Sequence, residues 1–257
     1  MRTRLVCVAA ALALACTANT LLADLATPRP QWTTVRMASE EVSITLGEQK
    51  VQVDATFHMH NLGQAATVAM GYPLGAFESA LNDFAVTVNG EALKAIRSQA
   101  GGAPAGGPMP RGGIGGGAAG GGRPGGGGPP AGNEPYRFDG PYKEWKVFDV
   151  PFAADEKKTV RVTYWVEPAQ VKDAQAGALL HYSYTMKTGA TWKGKIDEAK
   201  VCVKLNGAAP DRFVRILPAG YQKSSVGTTL SWTMKDFKPT ENIEITFRPA
   251  AATAASR

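Results

Sequence analysis

An all-β fold is what this sequence predicts, and three observations carry the prediction. The dominant hydrophobic period is two, the alternation recurs in about twelve short runs, and no stretch keeps a convincing amphipathic period of 3.6. Short strands separated by turn residues build antiparallel sandwiches rather than a parallel sheet. The expected architecture is therefore two antiparallel β-sandwich units, the first interrupted by a disordered Gly/Pro-rich loop. In chain order the expected parts are a signal peptide over 1–23, an N-terminal sandwich over 24–167 with the disordered insertion at 100–133, a C-terminal sandwich over 168–250, and a disordered tail over 251–257.

The first part is read from its charge and size pattern. Arg2 and Arg4 precede the apolar run from Leu5 to Ala15, and small residues follow, which is the order of a secretory signal. The run is too short to span a bilayer. Ala18 and Ala23 both offer the small side chain a signal peptidase needs, and cleavage after Ala23 is the expectation. The alternative is Ala13-Leu14-Ala15-Cys16, which resembles a loose bacterial lipobox and would make Cys16 the lipidated first residue of an outer-membrane lipoprotein. From Asp24 onward no apolar run reaches the length of a membrane span. A periplasmic or secreted location is thus expected, with a lipid tether as the variant.

The strands follow in order. Val42, Ile44 and Leu46 alternate with Ser43 and Thr45, and Val51 to Met59 alternate with Gln52 to His60, with Gly47 between them as a hairpin. Phe84, Val86 and Val88 lead into Asn89-Gly90, a dipeptide suited to a type I′ turn because both residues tolerate positive φ. Val160 to Val166 gives another strand. Further runs carry Tyr182, Tyr184 and Met186; Val201, Val203 and Leu205; Leu230, Trp232 and Met234; and Ile243, Ile245 and Phe247. Val171 to Ala178 is the one stretch read as a turn or two of helix. Residues 100–133 hold 17 of the 29 glycines and no period of three, which excludes collagen. Such a composition buries too little apolar surface to offset chain entropy, so it reads as a disordered spacer.

Charge and cysteine content narrow the function. Removing Arg2 and Arg4 from the formal +6 leaves about +4, too sparse for the basic stripe of a nucleic-acid binder. Cys202 remains as the sole thiol of the mature chain, so no internal disulfide is expected. Between Lys200 and Lys204 its thiolate would be favoured if exposed; the alternative is a small residue packed beneath a loop.

Several motifs approach chemistry without reaching it. Gly115 to Gly120 fits G-x-G-x-x-G but lacks the flanking strand and helix that a dinucleotide site requires. Gly189 to Ile196 fits a P-loop through Gly189, Gly194 and Lys195, yet Ile196 stands where a hydroxyl must meet magnesium. No G-x-S-x-G, H-E-x-x-H or C-x-x-C is present, and no cofactor is implied. His58 and His60 lie two apart on one strand face, where they could grip zinc or copper if a third ligand arrived; His181 is the only other histidine. The alternative is a polar outer face.

Two stretches carry a resemblance. Met37 to Pro73, with Ser39-Glu40-Glu41-Val42, Asn61 and Gly71-Tyr72-Pro73-Leu74, resembles an exported bacterial family catalogued as a domain of unknown function. More distantly it is similar to the N-terminal sandwich of inter-alpha-trypsin inhibitor heavy chains. Tyr182 to Ile196, with Tyr184, Thr188-Gly189-Ala190 and Trp192-Lys193-Gly194, resembles the second part of the same bacterial family. The resemblance implies paired β-sandwiches in an envelope-facing protein. Together these readings predict a non-enzymatic module that binds a protein or polysaccharide of the cell envelope, with a metal-dependent enzyme built on His58 and His60 as the alternative. Trp192, Lys193 and Tyr184 are the candidate recognition residues: the indole at Trp192 is either an exposed anchor or a lid over the core.

Overall fold

The computed structural model describes residues 25–28, 33–74, 80–100, 138, 142, 144–173, 177–206 and 210–250. The expected signal with Cys16, the tail, and the Gly/Pro tract beyond Ala100 lie outside these residues. Regular structure among the described residues is strand, apart from two short 3-10 segments at Lys187–Thr191 and Pro210–Arg212. The strands are β1 (Val35–Leu46), β2 (Val51–Asn61), β3 (Ala66–Leu74), β4 (Asn82–Val88), β5 (Glu91–Ala92), β6 (Arg97–Ala100), β7 (Glu144–Phe152) and β8 (Lys157–Val166). They continue as β9 (Ala169–Asp173), β10 (Gly177–Tyr184), β11 (Ile196–Leu205), β12 (Phe213–Leu217), β13 (Gln222–Lys223), β14 (Thr229–Phe237) and β15 (Ile243–Phe247). The all-β expectation holds.

Among the described residues the strands form three sheets. Eight strands run in the order β13-β14-β11-β1-β2-β8-β4-β5, four as β12-β15-β10-β9 and three as β3-β7-β6. One continuous cluster of buried apolar side chains joins them, drawing Val42, Phe57, Val162 and Val201 from the large sheet, Tyr182 and Ile245 from the second and Tyr72 and Phe148 from the third. Strict alternation explains this: β2 reads buried at each odd residue from Val51 to Asn61, so one side of the large sheet is apolar and the other faces solvent.

The expected division at 167/168 does not divide the sheets. β1 pairs antiparallel with β2 on one side and parallel with β11 on the other, from Ser39↔Glu198 to Leu46↔Leu205. The first and second halves of the chain therefore share the eight-stranded sheet. Alternation fixes which face of a strand is buried but carries no information about the direction of its neighbour, which is why this parallel pair was not legible. The helical reading of Val171 to Ala178 is also corrected: Ala169–Asp173 and the start of β10 pair as a hairpin, with Gly177↔Asp173 and Leu179↔Val171 in register.

The turns behave as their residues dictate. Asn89 and Gly90 have φ of 53° and 86°, as the β4–β5 hairpin requires. The Asn89 carboxamide also accepts the Thr159 amide at 2.9 Å, tying the hairpin to β8. Gly47 is confined by closeness instead, since a Cβ there would lie 2.7 Å from the Lys50 carbonyl oxygen. Outside the main cluster, Ala26, Phe138, Trp145 and Val147 form a second small one. Gly71 makes it possible, because a Cβ at this position would come within 2.4 Å of the Phe138 ring.

Candidate functional site

Trp192 is not on the surface. It is 2% exposed, and its indole Nε1 donates to the Leu25 carbonyl at 2.8 Å. Around it the chain is stitched together: the Thr27 amide donates to Thr191 Oγ1 at 3.0 Å, and the Lys193 amide donates to the Val35 carbonyl at 3.2 Å. Ala26 exchanges two main-chain hydrogen bonds of 2.9 Å with Gly71. Leu25 to Thr27 thus form a strap between β3 and the loop after β10, and Trp192 is the lid that holds it. Tyr184 is likewise fully buried. Lys193 alone of the three expected recognition residues is exposed, so the flat apolar face imagined for a partner is spent on the core. The P-loop reading of this segment fails on context, since Gly189 lies in a 3-10 turn and strand β11 follows.

His58 and His60 do sit side by side on the solvent face of β2, and each has a local partner. His60 Nε2 shares a hydrogen bond of 2.6 Å with Asp155 Oδ1, and His58 Nδ1 one of 3.3 Å with Thr159 Oγ1. His181 belongs to the four-stranded sheet, where Thr246 Oγ1 lies 3.0 Å from its Nδ1. Burial, aided by the charge of Arg215, lowers its pKa and so favours the neutral ring. Among the described residues no three His, Cys, Asp or Glu side chains converge as metal ligands would. Cys202 is half-buried on the same solvent face, in register with Ser43 and Ser231.

Among the described residues, that solvent face has room for a ligand. Register sets its side chains in rungs across the strands: Thr45, Gln52 and Trp165; then Cys202, Ser43, Asp54 and Thr163; then Lys200, Glu41, Thr56 and Arg161; then Ser39, His58 and Thr159; then Arg36, His60 and Lys157. Successive rungs are two residues apart, so the track is about 27 Å long. Three grooves follow one another along it. The first, of about 390 Å³, holds Trp165, Lys50, Gln52 and Asp83. The second, of about 450 Å³, shares Ser43 and Asp54 with the first and adds Arg161, Lys200 and Cys202; the third, of about 400 Å³, holds His58, His60 and Lys157.

Charge along the track is largely paired. Arg161 grips Asp54 with two hydrogen bonds, Nε to Oδ1 at 2.7 Å and Nη2 to Oδ2 at 2.6 Å, and this contact raises the guanidinium pKa further. Arg36 binds Asp197, and Lys200 binds Glu198 at 2.9 Å. The hydrogen bond from Lys200 and the charges of Lys200 and Lys235 hold the Glu198 carboxyl below its usual range. At Trp165 the arrangement differs. Its indole Nε1 donates to Asp83 Oδ2 at 2.8 Å, while Lys50 Nζ stands 4.8 Å from the ring centroid. Neither Asp83 nor Lys50 forms an ion pair among the described residues. The sequence held a sign of this residue: within Val160 to Val166, Trp165 falls at a solvent-facing position, where a tryptophan is out of place.

On the other face of the same sheet lies a chemical outlier. β1 shifts register between Met37 and Ser39, and beyond this bulge Glu40 points inward, in register with Phe57 and Ala199. Glu40 is fully buried and neither carboxyl oxygen has a partner among the described residues. Burial pushes its pKa up to about 8.

Residues 155–246 match a family model. It is described as a domain of unknown function (DUF4424). The match takes in the Tyr182 to Ile196 stretch and leaves out Met37 to Pro73. No curated protein matches the sequence. Among solved structures, a "putative nutrient binding protein" from Legionella pneumophila has a TM-score of 0.59 at 16% identity, covering 89% of this chain and 72% of its own. This is a likeness of fold. An M1 zinc metallopeptidase from Deinococcus radiodurans (TM-score 0.38, 12% identity) and yeast LTA4 hydrolase (TM-score 0.41, 6% identity) are also similar, over 84% and 83% of this chain. The chain spans 42% and 29% of those two enzymes. Among the described residues no helix is long and apolar enough to cross a membrane.

Proposed function

We propose that this chain is a non-enzymatic, exported module of the cell envelope that binds a polysaccharide or protein partner along the open face of its eight-stranded sheet. One observation carries the reading: the grooves lie in line along β2, the first two sharing Ser43 and Asp54 and the third starting at His58, one rung beyond Thr56. The face therefore offers a track suited to an extended ligand rather than a closed pocket suited to a small one. The paired charges along it supply hydrogen-bonding groups in fixed positions without a large net field. The name of the Legionella protein, which concerns nutrient binding, lends support to ligand binding as the class of function.

Export with cleavage after Ala23 is part of the proposal. Leu25 is fully buried, so a mature chain beginning at Asp24 keeps the whole strap. Mass spectrometry of the envelope fraction tests it: a mass starting at Asp24 supports the free form, and a diacylglyceryl increment on Cys16 supports the tethered alternative. For the binding role the test is capture of soluble polysaccharide and of protein from native envelope by the immobilised mature chain. Capture of neither overturns the reading.

A further inference from the structure

We infer that the groove at Trp165 is a subsite for one neutral hexopyranose residue of a polysaccharide, with the indole as its stacking platform. The inference rests on the binding reading above and names the ligand class of that site. A pyranose ring presents an apolar C–H face that lies flat against an aromatic ring, while its hydroxyls point outward in the ring plane and need both donors and acceptors. The groove supplies both. Lys50 and Gln52 donate, Asp83 and Gln52 accept, and the hydroxyls of Thr45 and Thr163 do either. The Lys50 ammonium, which lies 4.8 Å over the indole ring, swings off it to a sugar hydroxyl as the pyranose stacks. Lys50 and Asp83 carry opposite charges, and Asp54 at the groove floor is already neutralised by Arg161. The site therefore selects for an uncharged ligand.

Asp83 is a positioning residue for the platform. β4 shifts register between Asn82 and Ala85, and Asp83 takes a φ of 51° inside that shift. A non-glycine residue in this region is uncommon, and here the distortion delivers a carboxylate to the indole N–H on the solvent side. The contact itself lies outside the core, because Trp165 stands on the side of β8 away from the buried Tyr164 and Val166, while the neighbouring Phe84 packs inward on Tyr72 and Tyr164. The bulge orients a half-exposed tryptophan that the hydrophobic core does not hold.

The experiment is titration of the mature chain by calorimetry with cello-, malto- and laminari-hexaose, and with polygalacturonate as an acidic polymer. At least one neutral hexaose binds, equally at about 50 mM and about 500 mM NaCl, because no charge is neutralised on binding. Trp165→Ala weakens it by at least about tenfold, with an unchanged melting temperature. Gln52→Arg, which fills the groove from the position paired with Trp165 while leaving the indole in the chain, does the same and covers the case of a misfolded tryptophan variant. Asp83→Ala weakens binding and blue-shifts or broadens the Trp165 emission, and Asp83→Asn, which keeps an acceptor, restores both. Unchanged binding by Trp165→Ala and Gln52→Arg overturns the subsite, as does a salt-sensitive preference for polygalacturonate. If those variants still capture envelope polysaccharide as the native chain does, the subsite falls and the binding role stands; if the native chain captures no polysaccharide or protein, both fall.

Discussion

Glu40 should make the fold weaken as the solution turns alkaline. Its ordinary value is 4.5 and burial raises it to about 8, so the folded chain holds the proton more tightly than the unfolded one. The contribution is complete below 4.5 and is lost as the pH rises to about 8, at up to about 1.4 kcal/mol per pH unit inside that window. Urea unfolding at pH 5, 7 and 9 measures it. Glu40→Gln, neutral throughout, should flatten the dependence relative to the native chain and be the more stable of the two at pH 9. Trp192→Ala should cost about 3 to 5 kcal/mol, since it removes a buried ring as well as the donor to Leu25; a melting temperature equal to the native one would return Trp192 to the surface. Both residues were partly legible. Trp192, between Gly189 and Gly194, reads as a lid ahead of an anchor, and its burial decides for the lid. Glu40 falls in phase with Val42, Ile44 and Leu46 on the inward side, and its charge beside Glu41 masks that position; the bulge between Met37 and Ser39, of which sequence carries no mark, brings Val35 and Met37 to the same side.

Hairpins were legible at the scale of elements because their turn chemistry is local. Asn89-Gly90 and Gly47 each state a backbone requirement within four residues. The strap at Leu25 to Thr27 states none. It consists of three residues whose partners, Gly71, Thr191 and Trp192, are distant in sequence, and no periodicity betrays such a piece. Deleting Leu25 to Thr27 should lower stability by at least about 2 kcal/mol, from the burial of Leu25 alone before the lost hydrogen bonds are counted. Thermal melts of chains starting at Asp24 and at Pro28 give the comparison. The polar track was legible in part: His58 and His60 were placed on one outward face and are found there, while the grooves arise from neighbours across β1, β8 and β11 that no single run of sequence reveals.

For the whole molecule, the shared sheet makes the two halves interdependent. A fragment of residues 24–167 retains β1 and β2 but loses β11 and β14, and with them one side of β1. It should show no cooperative urea transition alone, and mixing it with residues 168–250 should restore one, followed by far-ultraviolet circular dichroism. Independent cooperative unfolding of both fragments would mean that the parallel pairing adds little. The fold class was readable because alternation is a property of each strand. The sheet order was not, because it belongs to pairs of strands far apart in the chain.

The seat of β1 between β2 and β11 also sets a timetable. A chain made from its N-terminus lays down β1 and β2 early, yet the second edge of β1 finds its partner only when residues 198–205 have been delivered. Until then a twelve-residue strand with an apolar face presents a row of open backbone groups to whatever is nearby. Contacts of such long reach close slowly. A producing cell would therefore have to keep the growing chain from its own kind until the last third arrives, which makes yield, more than final stability, the property most exposed to changes in how fast the second half is supplied.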